Sequence, residues 1–143
     1  MNVFVGEFLR TARLGTFGLG TPAVEIAALL GAPWKATEDL PIDIWQFGDL
    51  EFMVQDDLIV SIELMVDANP VALPPELHVA DMREWTGRPM QEAEDWLTAV
   101  GLTTSKRITI SESARWVLSS GAALVFDNGG ANSVSVLDRR IGG

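Results

Sequence analysis

The sequence predicts an α+β fold in which two tandem helix-then-antiparallel-meander repeats form one layered sheet with the helices on one face. Three observations carry this reading. Each half of the chain passes from helical apolar spacing to strand-like alternation. In each half a proline opens the main helix and a glycine closes it. Finally, the second half can be laid on the first with a period of about 70 residues, too long for a solenoid unit and suited to a repeated supersecondary motif.

Residues 3–13 form the first predicted helix, with Val3, Phe4, Phe8 and Leu9 near helical spacing around Glu7 and Arg10. Leu14 to Gly20 is too glycine-rich to continue it. Thr21 and Pro22 are expected as N-cap and first-turn residue of a second helix that turns Val24, Ala27, Ala28 and Leu30 inward. Gly31 and Pro33 stop that helix, and residues 34–41 read as a loop. Three strands follow, at 42–47, 50–55 and 58–66, turning at Gly48-Asp49 and Asp56-Asp57.

Residues 69–75 break both periods and form a connector. A short helix is predicted at 79–85 and a longer one at 89–100, whose stripe is Met90, Ala93, Trp96, Leu97 and Val100. Four strands then fall at 107–111, 115–119, 122–127 and 133–137, with turns at Ser120-Gly121 and Asn128-Gly129-Gly130. The expected organisation is one domain: repeat 1 over about residues 1–68 and repeat 2 over about 76–143.

The repeat aligns Pro22 with Pro89, Leu50 and Phe52 with Leu124 and Phe126, and Gln55-Asp56-Asp57 with Asp127-Asn128-Gly129. It also sets Ser61-Ile62-Glu63-Leu64 on Ser133-Val134-Ser135-Val136. One copy has an apolar sheet face with a single row of helices to cover it. A second copy extends the sheet and completes the core, leaving the other sheet face for a partner.

Charge divides the halves. The net charge is −10, with 11 acids and 3 bases in residues 1–70 and 9 acids and 7 bases in residues 71–143. So acidic a first half repels phosphate backbones, which predicts no nucleic-acid binding and points to a basic protein partner. There is no cysteine, and therefore no disulfide framework or thiolate site. With no signal-like start and no long apolar run, a soluble cytoplasmic protein without membrane association is expected.

No residue pattern suggests catalysis. His78 has no nucleophile or orienting acid placed beside it by the sequence. Gly15, Gly18 and Gly20 follow a helix rather than a strand, so they read as a chain reversal and not a phosphate loop. Asp56-Asp57 and Asp127-Asn128-Gly129 match hairpin-turn chemistry better than a calcium loop. The expectation is a non-enzyme that binds neither cofactor nor metal.

Five tryptophans and no tyrosine form a less ordinary pattern. Trp85, Trp96 and Trp116 suit the core, whereas Trp34 and Trp45 lie among acids, a composition common at interfaces. The candidate partner-binding residues are Trp34, Glu38, Asp39, Asp43, Trp45, Asp49, Glu51, Asp56 and Asp57.

The string Leu14-Gly15, Leu19-Gly20-Thr21-Pro22, Glu25, Leu29-Leu30-Gly31 and Pro33, with Phe47-Gly48-Asp49-Leu50-Glu51-Phe52 and Val60-Ser61-Ile62, resembles a widespread module. It occurs in the small outer-membrane-assembly lipoproteins and, in tandem, in the beta-lactamase inhibitory proteins. It is also similar to small bacterial proteins regarded as immunity proteins. The resemblance covers about residues 14–64 and implies a binder rather than an enzyme. With no cysteine, this sequence has neither the lipoprotein's lipidated residue nor the inhibitor's disulfides, and no secretory signal is expected. Two other functions fit the composition: a small-molecule binder or minor enzyme with a pocket between helices and sheet, and a structural homo-oligomer.

Overall fold

The computed structural model describes residues 1–39, 41–68 and 71–138. Leu50, Phe52 and Val54 are buried while Glu51, Met53 and Gln55 between them are half-buried, so the alternation in sequence becomes a strand with one dry face. This is β4 (Leu50–Gln55), and its neighbours follow in a meander: β2 (Lys35–Asp39), β3 (Ile42–Phe47) and β5 (Leu58–Met65). Ahead of them come β1 (Asn2–Val3), α1 (Val5–Thr11) and α2 (Val24–Leu30). The same order then recurs: β6 (His78–Val79), α3 (Met82–Trp85), α4 (Met90–Val100), β7 (Thr104–Ile110), β8 (Ser113–Leu118), β9 (Ala123–Asp127) and β10 (Gly130–Leu137).

The two meanders join edge to edge. The strand order is β2-β3-β4-β5-β10-β9-β8-β7, one eight-stranded sheet in which every pairing is antiparallel. At the centre Glu63 of β5 stands opposite Ser135 of β10. These are the residues that the repeat aligns, so a local two-fold axis passes between them. Equivalent details recur on both sides of that axis. Pro22 bridges Leu58 and Pro89 bridges Gly130. Asp56 and Asp57 adopt positive φ, as do Asn128 and Gly129 at the equivalent turn. Strands β1 and β6 pair with each other, in parallel, as a separate two-stranded sheet.

The helices lie on the dry face. Phe8, Leu9, Phe17, Ile26 and Leu97 are buried against Phe52, Leu64, Leu124, Phe126 and Val134 in one apolar cluster. Phe17 meets Phe52 edge to face at 5.3 Å. Trp85 meets Trp96 in the same way at 4.9 Å. Asp81 ties the two halves together: its carboxylate accepts from the backbone N–H of Val5 at 2.6 Å and of Gly6 at 2.9 Å, capping α1 from the other repeat.

The structure corrects four sequence expectations. Residues 35–39 are a strand, not a loop; every residue of Lys35–Glu38 is exposed, so this edge strand shows no apolar alternation to read. Asn2–Val3 pairs as a strand, and α1 begins only at Val5. Pro22 is extended and bridged to Leu58, Thr21 accepts from Gly18 N–H instead of capping, and α2 starts at Val24. That shift turns Ala23, Ile26 and Leu30 inward and leaves Val24, Ala27 and Ala28 exposed. Val100 is exposed rather than part of the α4 stripe. Asn69 and Pro70 of the connector, Leu40 of the expected loop and residues 139–143 of the second repeat lie outside the described residues.

Candidate functional site

The face of the sheet away from the helices is bare. Antiparallel register places Ile44, Met53, Met65, Val125, Val117 and Ile108 on it, with Ser61, Ser133 and Ser135 at its centre. The three serines are nevertheless buried. On one flank Ile108, Ile110, Arg115 and Val125 line a depression of about 260 Å³, and Ile110 is 72% exposed. Two wider depressions, of about 510 and 540 Å³, lie where strand ends meet the loops: one beside Pro41, Gln55 and Asp56, the other beside Ala12, Arg13 and Gly121.

Two acids sit side by side on the bare face. Glu51 is directly opposite Glu63. Partial burial raises the Glu51 carboxyl above its ordinary value, and the neighbouring Glu63 charge raises it further. Among the described residues neither carboxylate has an ion-pair partner. The pair therefore opposes folding slightly at neutral pH and favours any cation laid over it.

The candidate residues separate into several places on the sheet. Glu38 and Asp43 are cross-strand neighbours, as are Ala36 and Trp45, and the register puts all four on the helix side of the β2–β3 hairpin. Trp45 packs partly against the core. Glu51 is on the opposite, bare face. Asp49 is engaged in the fold: its carboxylate accepts from Ala72 N–H at 2.7 Å, and its backbone binds both Ala72 and Met65. Asp56 and Asp57 are the exposed β4–β5 turn, at the other end of the strand from Asp49. Asp39 ends β2 opposite Ile42. Trp34 is 55% exposed, and its ring covers Gly48, whose φ of 65° and close approach to Ala72 leave no room for a Cβ. The nine residues are thus not one continuous acidic surface, because cross-strand parity and turns at both strand ends divide them.

Sequence reasoning passed over the second repeat's counterpart of Trp45. The register about the local axis corrects the sequence alignment by two residues, setting Phe52 on Leu124 and Val54 on Phe126; Trp116 stands opposite Leu124 as Trp45 stands opposite Phe52, which makes the two tryptophans equivalent. The Arg107 guanidinium lies 4.2 Å from the Trp116 ring centre. It is held there by Glu94 of α4 through two contacts of 2.7 Å. The hydrogen bond from Arg107 holds the Glu94 carboxyl below its ordinary value.

Among the described residues no group of three or more histidine or acidic side chains comes together as a metal site. No helix of the described residues is long and apolar enough to cross a membrane. His78 is exposed and uses its backbone N–H to reach Met1 O at 2.9 Å.

No protein-family model matches the chain, and no curated protein matches it. Among solved structures it is similar to an extracellular protein containing a SCP domain from Bacillus anthracis str. Ames, at 15% identity and a TM-score of 0.50. The match covers 86% of this chain and 45% of that one, so the chain spans less than half the length of that protein. At this identity the likeness concerns the fold alone.

Proposed function

We propose that this chain is a non-catalytic protein-binding domain of the immunity or inhibitor type that receives a basic partner on the bare face of its sheet. The observation that carries the reading is the uncovered eight-stranded face with the unpaired Glu51–Glu63 couple near its centre. Apolar side chains around that couple supply area to bury, and a partner's cation relieves the repulsion between the acids. The resemblance of residues 14–64 to modules of inhibitory proteins supports the same reading. A cytoplasmic location goes with the cysteine-free composition, and fractionation of the source cells tests it.

The decisive experiment is co-purification with the product of an adjacent gene, using the wild type and the charge-introducing variants Met53→Arg and Val125→Arg. Wild type should retain the partner at micromolar concentration, and each variant should release it while keeping its circular dichroism spectrum and melting temperature. Undiminished capture by both variants, or no partner for the wild type, removes the proposal.

A further inference from the structure

The two halves of the sheet present the same aromatic position with opposite provision around it. In the second half the Trp116 ring is covered by Arg107 and is only 4% exposed. Ala36, opposite Trp45, is the residue equivalent to Arg107, opposite Trp116. The proline-anchored helix alignment sets Ala27 where Glu94 stands. Both members of the ion pair that closes the second site are thus alanines in the first, and the Trp45 ring is left half-buried.

The acids are redistributed to match. Glu38 and Asp43 flank the Ala36–Trp45 pair on the same side of the hairpin, where the second half has Thr109 and Ala114. Among the described residues neither carboxylate makes a side-chain hydrogen bond or ion pair. The second half carries its own cation and needs no acid on these strands. The first half lacks the cation and holds two unsatisfied carboxylates beside a half-buried indole.

We infer that the helix side of the β2–β3 hairpin is a receptor for an arginine side chain of a partner protein, which stacks on Trp45 and pairs with Glu38 and Asp43 as Arg107 stacks on Trp116 and pairs with Glu94. A planar guanidinium satisfies an aromatic face and two carboxylates at once, whereas a lysine ammonium is a compact, strongly hydrated charge. A peptide-borne arginine suits the site better than free arginine, because its flanking amides can bond the free backbone edge of β2, whereas the head of free arginine is a solvated zwitterion. This receptor is on the opposite side of the sheet from the bare face and stands whether or not that face binds a partner.

The test uses the full chain and blocked peptides of sequence Gly-Arg-Gly and Gly-Lys-Gly, titrated to about 10 mM while the Trp45 indole N–H resonance is followed by NMR, since a guanidinium that is both stacked and paired with two carboxylates gives affinity in the millimolar range. The arginine peptide should shift that resonance, with the lysine peptide and free L-arginine each weaker by about fivefold. The surface variant Ala36→Arg supplies the missing cation in cis: it should abolish the peptide-induced shift and raise the melting temperature by about 3 °C. That gain should vanish in an Ala36→Arg, Glu38→Gln, Asp43→Asn background. Equal responses to the two peptides would mean general attraction to an acidic chain and overturn the inference. So would free arginine binding as well as the peptide, no shift at the highest concentration, or an Ala36→Arg variant that neither blocks nor stabilises. Because all three altered positions are outside the buried core, a folding failure does not stand in for a result.

Discussion

Asp81→Ala should cost this protein more stability than any other single loss of a surface-accessible carboxylate. The side chain accepts two backbone hydrogen bonds, from Val5 at 2.6 Å and Gly6 at 2.9 Å, and reaches across from the second repeat to cap a helix of the first. Removing it leaves two partly buried donors without a partner and a helix N-terminus without its negative charge. Cap removal alone costs about 1 kcal/mol, and bonds to a charged acceptor are worth about 1.5–3 kcal/mol each before water compensates. A net loss of about 2–3 kcal/mol follows. For a chain of 143 residues this lowers the melting temperature by about 6–10 °C. Asp81→Asn keeps one acceptor and turns an N–H₂ toward the second donor, so it should lose about half as much. Urea denaturation gives the free energies, and hydrogen exchange at the Val5 and Gly6 amides localises the effect. If Asp81→Asn matches wild type, or Asp81→Ala costs under about 0.5 kcal/mol, the two-donor account of this side chain is wrong.

Two further outcomes follow from backbone and charge. Gly48→Ala should destabilise by about 2–4 kcal/mol, since a Cβ there meets both an unfavourable φ of 65° and the Ala72 carbonyl and Trp34 ring. Gly121→Ala should lose only about 1–2 kcal/mol, because its φ of 95° carries a cost but nothing lies near the added atom; equal losses in thermal melts would refute the contact argument. Glu51→Gln should be more stable than wild type at pH 7 by about 0.5 kcal/mol, a cross-strand like-charge repulsion discounted for solvent screening. The Glu51 carboxyl is raised in the folded state, so its favourable contribution is complete below the ordinary value of 4.5 and is lost as pH rises through the folded value. The advantage of Gln should therefore shrink as pH falls through the raised folded value and be gone below 4.5, and a pH-independent difference in melting temperature would contradict the cause assigned.

Much of the fold was legible because the physics behind it is local. The alternation in 50–55, the proline and glycine around each main helix, and the turn residues at 56–57 and 128–129 act within a few residues of chain. The repeat alignment went further and matched Glu63 with Ser135, the pair on the local axis. The strand at 35–39 was missed because Lys35–Glu38, exposed on both faces of a sheet edge, have no period to display. The inward face of α2 was misjudged because Pro22 joins a bridge to Leu58, a contact 36 positions away that no local rule contains.

By itself, then, the sequence determined an acidic, cysteine-free α+β chain built of two helix-and-meander units, since composition and short-range periodicity are properties of the chain alone. The tertiary structure alone decided what the acidic residues can do. Whether Glu38, Asp43 and Trp45 meet depends on the pairing of two strands, and one step of register would send them to opposite faces. That Ala36 stands where Arg107 covers Trp116 became visible only once β2 was a strand with a partner. Side chains converge through strands brought together in space, and a linear pattern does not carry that parity.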